Sequence, residues 1–494
     1  LCFALSLVAV VVILHLCWVS YVDRPGDTLP LRTLQLWRNA SCLECLRPMP
    51  ARTGPQGSDH QARCPVPKYG AFPETRQVVF AKVHKARQLH TVQNILLRFA
   101  MARNLSVLLP NHKATINQAS PYIDRNAVVP HPEGKTMFDI LCNHVVYDEK
   151  EISKYFPESA ARVAIIREPM SQALSALVYF ATRFPTRELW RGLSKHPDDP
   201  VNGFLNHPED FSSETSQTNL EEFFVNNRMS VDLGLDLLDF KSSKQNQSKI
   251  RSFLKRLEEE FDLVLISDYF DESIILLRRY LHWSMKDIVY LRVNTANRTQ
   301  NNSVWNRTLN LTATTVSTFR RWAIYDYELY EHFLPIFFKK LKSECSFHEE
   351  LNAFRLILKD VVTYCSNATA AKPHLLVPEG AWNGEFTVSS SDCRLMAAPE
   401  EDLVEVVRQT QRRRRAEFFR ESRRPTLESG MSTRLWEENS LHLHFISHTG
   451  EWHEYPTMVR KQSSPTSATL ESGRSTRLWE ENSLHLHQPH WRVA

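Results

Sequence analysis

The sequence contains no G-x-x-x-x-G-K-[ST] segment, which argues against a P-loop kinase or NTPase. It also lacks a strong excess of either charge: the formal net charge is only +4 over 494 residues, so nothing demands a nucleic-acid partner. Cysteine is sparse, nine in all, and Cys42-x-x-Cys45 has no second ligand pair at zinc spacing, which favours a few disulfides over a metal site. Charge is missing altogether from residues 1–22, "LCFALSLVAVVVILHLCWVSYV", an apolar run long enough to span a bilayer. With no small-x-small cleavage site, this run is expected to be a retained transmembrane signal anchor.

Orientation comes from the asparagines. Eight N-x-S/T sites, at Asn39, Asn104, Asn246, Asn297, Asn301, Asn306, Asn310 and Asn367, all follow the anchor, and such sites matter only in the secretory lumen. Seven of the nine cysteines also follow it, as suits an oxidising compartment. Residues 23–75, rich in Pro and Arg, form an expected stem with little core.

From residue 76 to about 400, short apolar runs alternate with helical patterns. "VVFAKV" (from Val78), "LSVLLP" (Leu105 to Pro110), "RVAIIR" (Arg162 to Arg167) and "DLVLIS" (Asp262 to Ser267) have strand character. Helices are expected over Ser171 to Phe184, Ser248 to Glu260 and Glu272 to His282. Continuous apolar strands separated by helices predict an α/β fold, a central parallel sheet with helices on both faces. Ligands of such sheets bind beyond the carboxyl ends of the strands. His84 and Lys85, after the first strand, and Arg167, after the third, stand at that end.

Two stretches there suit an anion. In "VVFAKVHKARQLHTVQNILLRF" a strand enters a basic loop and leaves through a helix, bringing backbone N–H groups and a lysine together, although the loop has no glycine. In "IIREPMSQALSAL", Arg167 ends a strand and Ser175 follows on a helix, so that guanidinium and hydroxyl could meet one phosphate. The alternative for Arg167 is a surface pair with Glu168. Two phosphate sites at one sheet edge would fit a 3′,5′-bisphosphorylated nucleotide.

Residues 401–494 are expected to be a tail outside the domain. "TLESGMSTRLWEENSLHLH" (Thr426 to His444) returns as "TLESGRSTRLWEENSLHLH" (Thr469 to His487) with one change. Two copies are too few for a solenoid. The His-x-His pairs at His442/His444 and His485/His487 are expected to be solvated, and the run Arg412 to Arg415 to be either an acidic-group contact or the wet face of a helix.

Several motifs occur in order: "HK" before "TVQNILLRF", "FDILCNH" (Phe138 to His144), "IIREPMS", "NNRMSVDLGLD" (Asn226 to Asp236), "LISDYFDESIILLRR" (Leu265 to Arg279), "RRWAIYDYELYEHF" (Arg320 to Phe333) and "CRLMAAPE" (Cys393 to Glu400). Over roughly residues 76–396 the chain thereby resembles the galactose 3-O-sulfotransferases of the Golgi. The resemblance implies a P-loop-like sulfotransferase fold in a single-pass type II Golgi membrane protein with a luminal catalytic domain. It further implies 3′-phosphoadenosine 5′-phosphosulfate as co-substrate, a galactose-terminated glycolipid or glycoprotein as acceptor, and no metal. Carried over by position, Lys85 and Thr91 would contact the 5′-phosphosulfate, and Arg167 and Ser175 the 3′-phosphate. His84 and His144 match histidines given catalytic roles, and Lys85 would neutralise charge on the leaving oxygen. His144 could equally cap a strand end.

One departure stands out. Where the family runs His-Lys-Thr-Gly-Ser-Ser-Thr or close to it, this chain has "HKARQLHT", one residue longer, with Ala86, Arg87, Gln88, Leu89 and His90 replacing small residues. Such replacements are expected to shift or clog the wrap around a phosphate. The competing expectation is therefore a sulfotransferase-like protein with impaired activity that binds glycan or a Golgi partner.

Overall fold

The computed structural model describes residues 72–422, except 87, 118–119, 184–186, 212–224, 237–246, 293–308 and 368–372. The expected anchor, nearly all of the stem, the four sequons at Asn246, Asn297, Asn301 and Asn306, and both repeat copies lie outside the described residues, as do Asn39, Cys42, Cys45 and Cys64. Among the described residues no helix is long and apolar enough to cross a membrane.

The scaffold is a four-stranded parallel sheet. Its strands are β1 (Val78–Ala81), β2 (Ile140–Leu141), β3 (Ala161–Ile166) and β4 (Leu263–Ile266), in the spatial order β2-β1-β3-β4. Val78 pairs with both Ile140 and Ala161, and Ile166 with Ile266. Every residue of the four strands is buried, which is why they read as unbroken apolar runs. The crossover helices are α1 (Leu89–Arg103) after β1, α2 (Pro169–Arg183) after β3, and α5 (Phe270–Leu281) after β4. Between β3 and β4 also lie α3 (Arg228–Asp232) and α4 (Gln247–Glu260), while α6 (Ile324–Ser343), which packs on β4, and α7 (Phe347–Ser366) follow α5. The parallel α/β expectation holds, and α2, α4 and α5 match the three predicted helices to within two residues at each described end.

One large apolar core surrounds the sheet. A smaller one brings Phe180 of α2 together with Phe204, Phe211, Phe319 and Trp322. Met170, Ala173, Ala176, Leu177 and Phe180 anchor that helix in the second core, which fixes the side chains it offers to the sheet edge. Further on, Cys365 and Cys393 form a disulfide, and Cys345 is also disulfide-bonded. Cys142 is a buried thiol.

Two expectations need correction. "LSVLLP" does not form a regular strand: Val107 makes only a single parallel bridge to Ile140, and Pro110 an antiparallel one to Val128. Ser106 O and Leu108 N pair with a single residue, Ile140, of the two-residue β2, and the opposite edge is met by a side chain from the far end of the sequence. Gln411 accepts from Val107 N at 2.9 Å and donates to Val107 O at 3.0 Å, standing where a further strand would pair. Gln411 belongs to α8 (Glu400–Glu421), so the domain does not end at residue 400. Leu403, Val404 and Val407 of α8 are buried in the main core, and the helix packs along α1. The arginine run shows both expected roles, Arg414 lying 3.7 Å from Glu133 Oε1 and Arg412 and Arg413 being exposed, and adds a third. Arg412 donates to Asn111 O at 3.1 Å, Arg414 to Leu105 O at 3.2 Å and Arg415 to His131 O at 2.7 Å, so three of the four arginines satisfy loop carbonyls.

Candidate active site

The loop after β1 is held from three sides. His84 N donates to Asp232 Oδ2 at 2.6 Å, His84 O accepts from Gln172 Nε2 at 2.9 Å, and Lys85 O accepts from Arg167 Nη1 at 3.2 Å. These bonds bring α3, α2 and the end of β3 onto two consecutive residues. They matter because Lys85 and Gln88 have φ of 56° and 63° without being glycine. Left-handed backbone costs a side-chain-bearing residue roughly 1–2 kcal/mol, which the surrounding bonds must offset.

The bulky replacements are mostly directed elsewhere than expected. Ala86 and Leu89 are buried in the main core, and His90 Nδ1 pairs with Glu400 Oε2 at 2.6 Å. Gln88 forms the start of α1 without a side-chain cap. Arg87 lies outside the described residues.

The two histidines stack, with ring centroids 3.8 Å apart and 19° between planes. His84 Nδ1 lies 2.9 Å from Asp232 Oδ2, and the same carboxylate accepts from Arg228 Nη2 at 2.6 Å. The Asp232 carboxylate favours the tautomer of His84 with its proton on Nδ1 and Nε2 basic, against the Arg228 Nη2 donor 3.1 Å from the same Nδ1. His144 Nδ1 lies 2.9 Å from Lys82 O, which fixes its tautomer in the same way. Burial lowers the pKa of His84 and Asp232 opposes that fall, whereas His144, buried and beside His84 and Lys82, is pushed well below the usual imidazole value. Burial alone would raise the Asp232 carboxyl, but the charge of Arg228 and then His84 outweigh it and lower the pKa.

A further buried carboxylate supports this group. Asp326 accepts from Ser230 N at 2.8 Å and from Ser230 Oγ at 2.7 Å, while Asp326 N donates to Asn227 Oδ1 at 2.9 Å. Asp326, pushed up to about 6 by burial, thus anchors α3, and α3 in turn carries Asp232.

Cations gather on the side of β3. Lys85 Nζ sits over the Tyr179 ring, 2.9 Å from its centroid, and the Arg183 guanidinium lies 5.0 Å from the same centroid. Burial, and then the charge of Arg183, push Lys85 down to about 7. Ser171, Ser175 and Tyr179 follow one another at helical i, i+4 spacing on α2, so Ser175 lies one turn from the ring that carries Lys85. Glu168 caps α2, accepting from Met170 N at 3.0 Å and Ser171 N at 2.7 Å, while Arg167 reaches back to the loop. Thr91 lies in the first turn of α1, its N–H donating to Gln88 O at 2.9 Å. The hydroxyls of Thr91 and Ser175 have no hydrogen-bond partner among the described residues.

The structure therefore brings His84, Lys85, His144 and Arg167 into one contiguous group, with Thr91 and Ser175 on the two flanking helices. Sequence reasoning did not single out Asp232, Arg228, Gln172, Arg183, Lys82 or Glu400. Asp232 and Arg228 lie inside the motif "NNRMSVDLGLD", where an Arg/Asp pair at i, i+4 is the available signal.

Comparison with known proteins gives the same direction. The family model described as Galactose-3-O-sulfotransferase matches residues 43–380. The chain is 27% identical over 303 residues to Galactose-3-O-sulfotransferase 2 of Mus musculus, covering 59% of this chain and 70% of that protein. It is 30% identical over 271 residues to Galactose-3-O-sulfotransferase 3 of Bos taurus, 55% of this chain and 59% of the other. To Galactosylceramide sulfotransferase of Mus musculus it is 29% identical over 277 residues, 56% and 60% of the two chains.

Proposed function

Because the chain belongs to the galactose-3-O-sulfotransferase family, we propose that it transfers a sulfuryl group from 3′-phosphoadenosine 5′-phosphosulfate to the 3-hydroxyl of a β-galactose on a glycolipid or glycoprotein. The observation that carries the proposal is the grouping of a carboxylate-oriented histidine with Lys85 and Arg167 at the carboxyl ends of β1 and β3. The nucleotide co-substrate supplies the activated sulfuryl group, whose bond to the 5′-phosphate oxygen breaks as the bond to the sugar oxygen forms. His84 Nε2 takes the proton of the sugar hydroxyl, and Asp232 stabilises the resulting imidazolium. Lys85 balances charge on the departing phosphate oxygen, and Arg167 with Ser175 holds the 3′-phosphate. His144, kept uncharged beside His84, orients the acceptor hydroxyl. Two buried atoms at the same sheet edge suit a polar ligand: Gln172 Oε1 and Ser267 Oγ have no partner among the described residues.

The expected setting is the Golgi membrane, with a single-pass type II anchor at residues 1–22 and the catalytic domain in the lumen. Exposed Asn104, Asn310 and Asn367 and the Cys365–Cys393 disulfide support it. A second reading, a sulfotransferase-like protein that binds nucleotide or glycan without transfer, draws on one observation: the loop has no glycine and its Lys85 ammonium rests on Tyr179.

Calorimetric titration with adenosine 3′,5′-bisphosphate tests the premise of nucleotide binding. Saturable binding that exceeds binding of adenosine 5′-phosphate is expected, and absence of binding would remove the transferase reading and leave a glycan- or partner-binding protein.

A further inference from the structure

The family match stops at residue 380, yet a helix beyond it is joined to the candidate site. Glu400, the first residue of α8, places one carboxylate oxygen on Lys82 Nζ and the other on His90 Nδ1. Lys82 is fully buried just after β1, and its Nζ also donates to Gln93 Oε1 at 2.7 Å. Its main-chain carbonyl is the atom that orients His144. His90 belongs to the segment that replaces the family's small residues. One carboxylate therefore neutralises the buried cation beneath the two histidines and ties down the altered end of the loop.

The carboxylate is itself delivered by a fixed support. Gln411 holds both polar atoms of the Val107 backbone, Arg408 donates to Pro110 O at 2.9 Å, and Arg415 to His131 O at 2.7 Å. Burial would raise the Glu400 carboxyl, but the charge of Lys82 and the bond to His90 outweigh it and hold it at about 2. It stays ionised throughout the pH range in which the protein would work. A group supported in this way can set the geometry of residues it touches, because little else in its surroundings yields.

We propose that Glu400 is a positioning residue of the site, holding Lys82 and His90 so that the loop after β1 and the His144 ring keep their places for nucleotide and acceptor. Its significance for catalysis rests on the sulfotransferase reading above; its effect on the loop does not. Nothing in the proposal gives Glu400 contact with substrate. It explains how a loop without glycine, and with two left-handed residues, keeps one conformation.

Hydrogen exchange on the full chain, followed over residues 82–92, is the ligand-independent test. In Glu400→Gln and in His90→Ala, exchange across this segment should rise by about tenfold or more, while Val163 to Ile166 of β3 keep their protection. Glu401→Gln, one residue along the same helix and exposed, should leave both segments unchanged. Adenosine 3′,5′-bisphosphate affinity should fall about tenfold in Glu400→Gln and by a smaller factor in His90→Ala. Should Glu400→Gln fail to fold because Lys82 is left unpaired, the double variant Lys82→Met/Glu400→Gln removes the buried charge and keeps the main-chain carbonyl. Faster loop exchange in that folded variant supports the proposal. Unchanged loop exchange in folded Glu400→Gln, or in the double variant, overturns it. If the parental chain binds no bisphosphate, the sulfotransferase reading fails, and the exchange result still decides the positioning role.

Discussion

Lys85 makes nucleotide binding dependent on pH in a direction the structure specifies. Its ammonium is packed on the Tyr179 ring of α2, and burial, followed by the charge of Arg183, pushes its pKa down from 10.5 to about 7. Lys82 opposes its charge as well, and Glu400 of α8 favours it. A phosphate arriving beside Lys85 favours the charged form, so the pKa rises on binding. Above pH 7 the free protein must therefore take up a proton to bind, and affinity falls as pH rises. Below pH 7 the proton is already in place and the dependence flattens. Between about pH 6.5 and about pH 9 the charged fraction of free Lys85 drops from about three-quarters to about one-hundredth, which weakens binding by up to roughly 70-fold. Calorimetry with adenosine 3′,5′-bisphosphate in two buffers of different ionisation heat reads both the affinity and the proton taken up. Lys85→Arg should bind with a nearly flat profile, since a guanidinium stays charged across the range. A parental affinity that does not change between these pH values, or an equal slope in Lys85→Arg, would refute the reasoning.

Arg167→Ala should weaken bisphosphate binding by about 2–3 kcal/mol, some 30- to 150-fold, whereas Arg87→Ala, in the altered segment, should cost far less; equal losses would dissolve the 3′-phosphate assignment. Asp232→Asn should lower the transfer rate by about 10²- to 10⁴-fold while bisphosphate affinity stays within about threefold, because the change acts on the tautomer of His84. A parallel loss of affinity would show that the bond of Asp232 to His84 N, which holds the loop, outweighs its effect on the base. Truncation after Arg424 should leave the melting temperature within error, while ending the chain before Glu400 should lower it by about 10 °C or more, since Leu403, Val404 and Val407 leave the core. Thermal unfolding of the two truncations checks this.

The parallel sheet and its helices were legible because β1, β3 and β4 are buried on both faces and so appear as continuous apolar runs. The loop ends His84, Lys85 and Arg167 were legible for the same reason: strand ends in such sheets face the ligand. What could not be read were partners far apart in sequence. Asp232 meets His84 across 148 positions, and Gln172 meets it across 88. "LSVLLP" has the composition of a strand, and that a side chain, Gln411, meets its outer edge from 304 positions away is visible only in the fold. The arginine run misled for a related reason, since its carbonyl partners are invisible until the edge it covers is folded. The effect of the lengthened loop was likewise undecided, because whether Leu89 blocks a phosphate or enters the core depends on the direction of the first turn of α1.

The most direct measurement is incubation of the full chain with 3′-phosphoadenosine 5′-phosphosulfate and a β-galactoside acceptor, followed by structural analysis of the product. A sulfate ester on the 3-hydroxyl of galactose is predicted, with none formed on an acceptor whose 3-hydroxyl is blocked. Saturable bisphosphate binding accompanied by no transfer to any β-galactoside would contradict the enzyme assignment and leave the protein a nucleotide-binding relative without the activity.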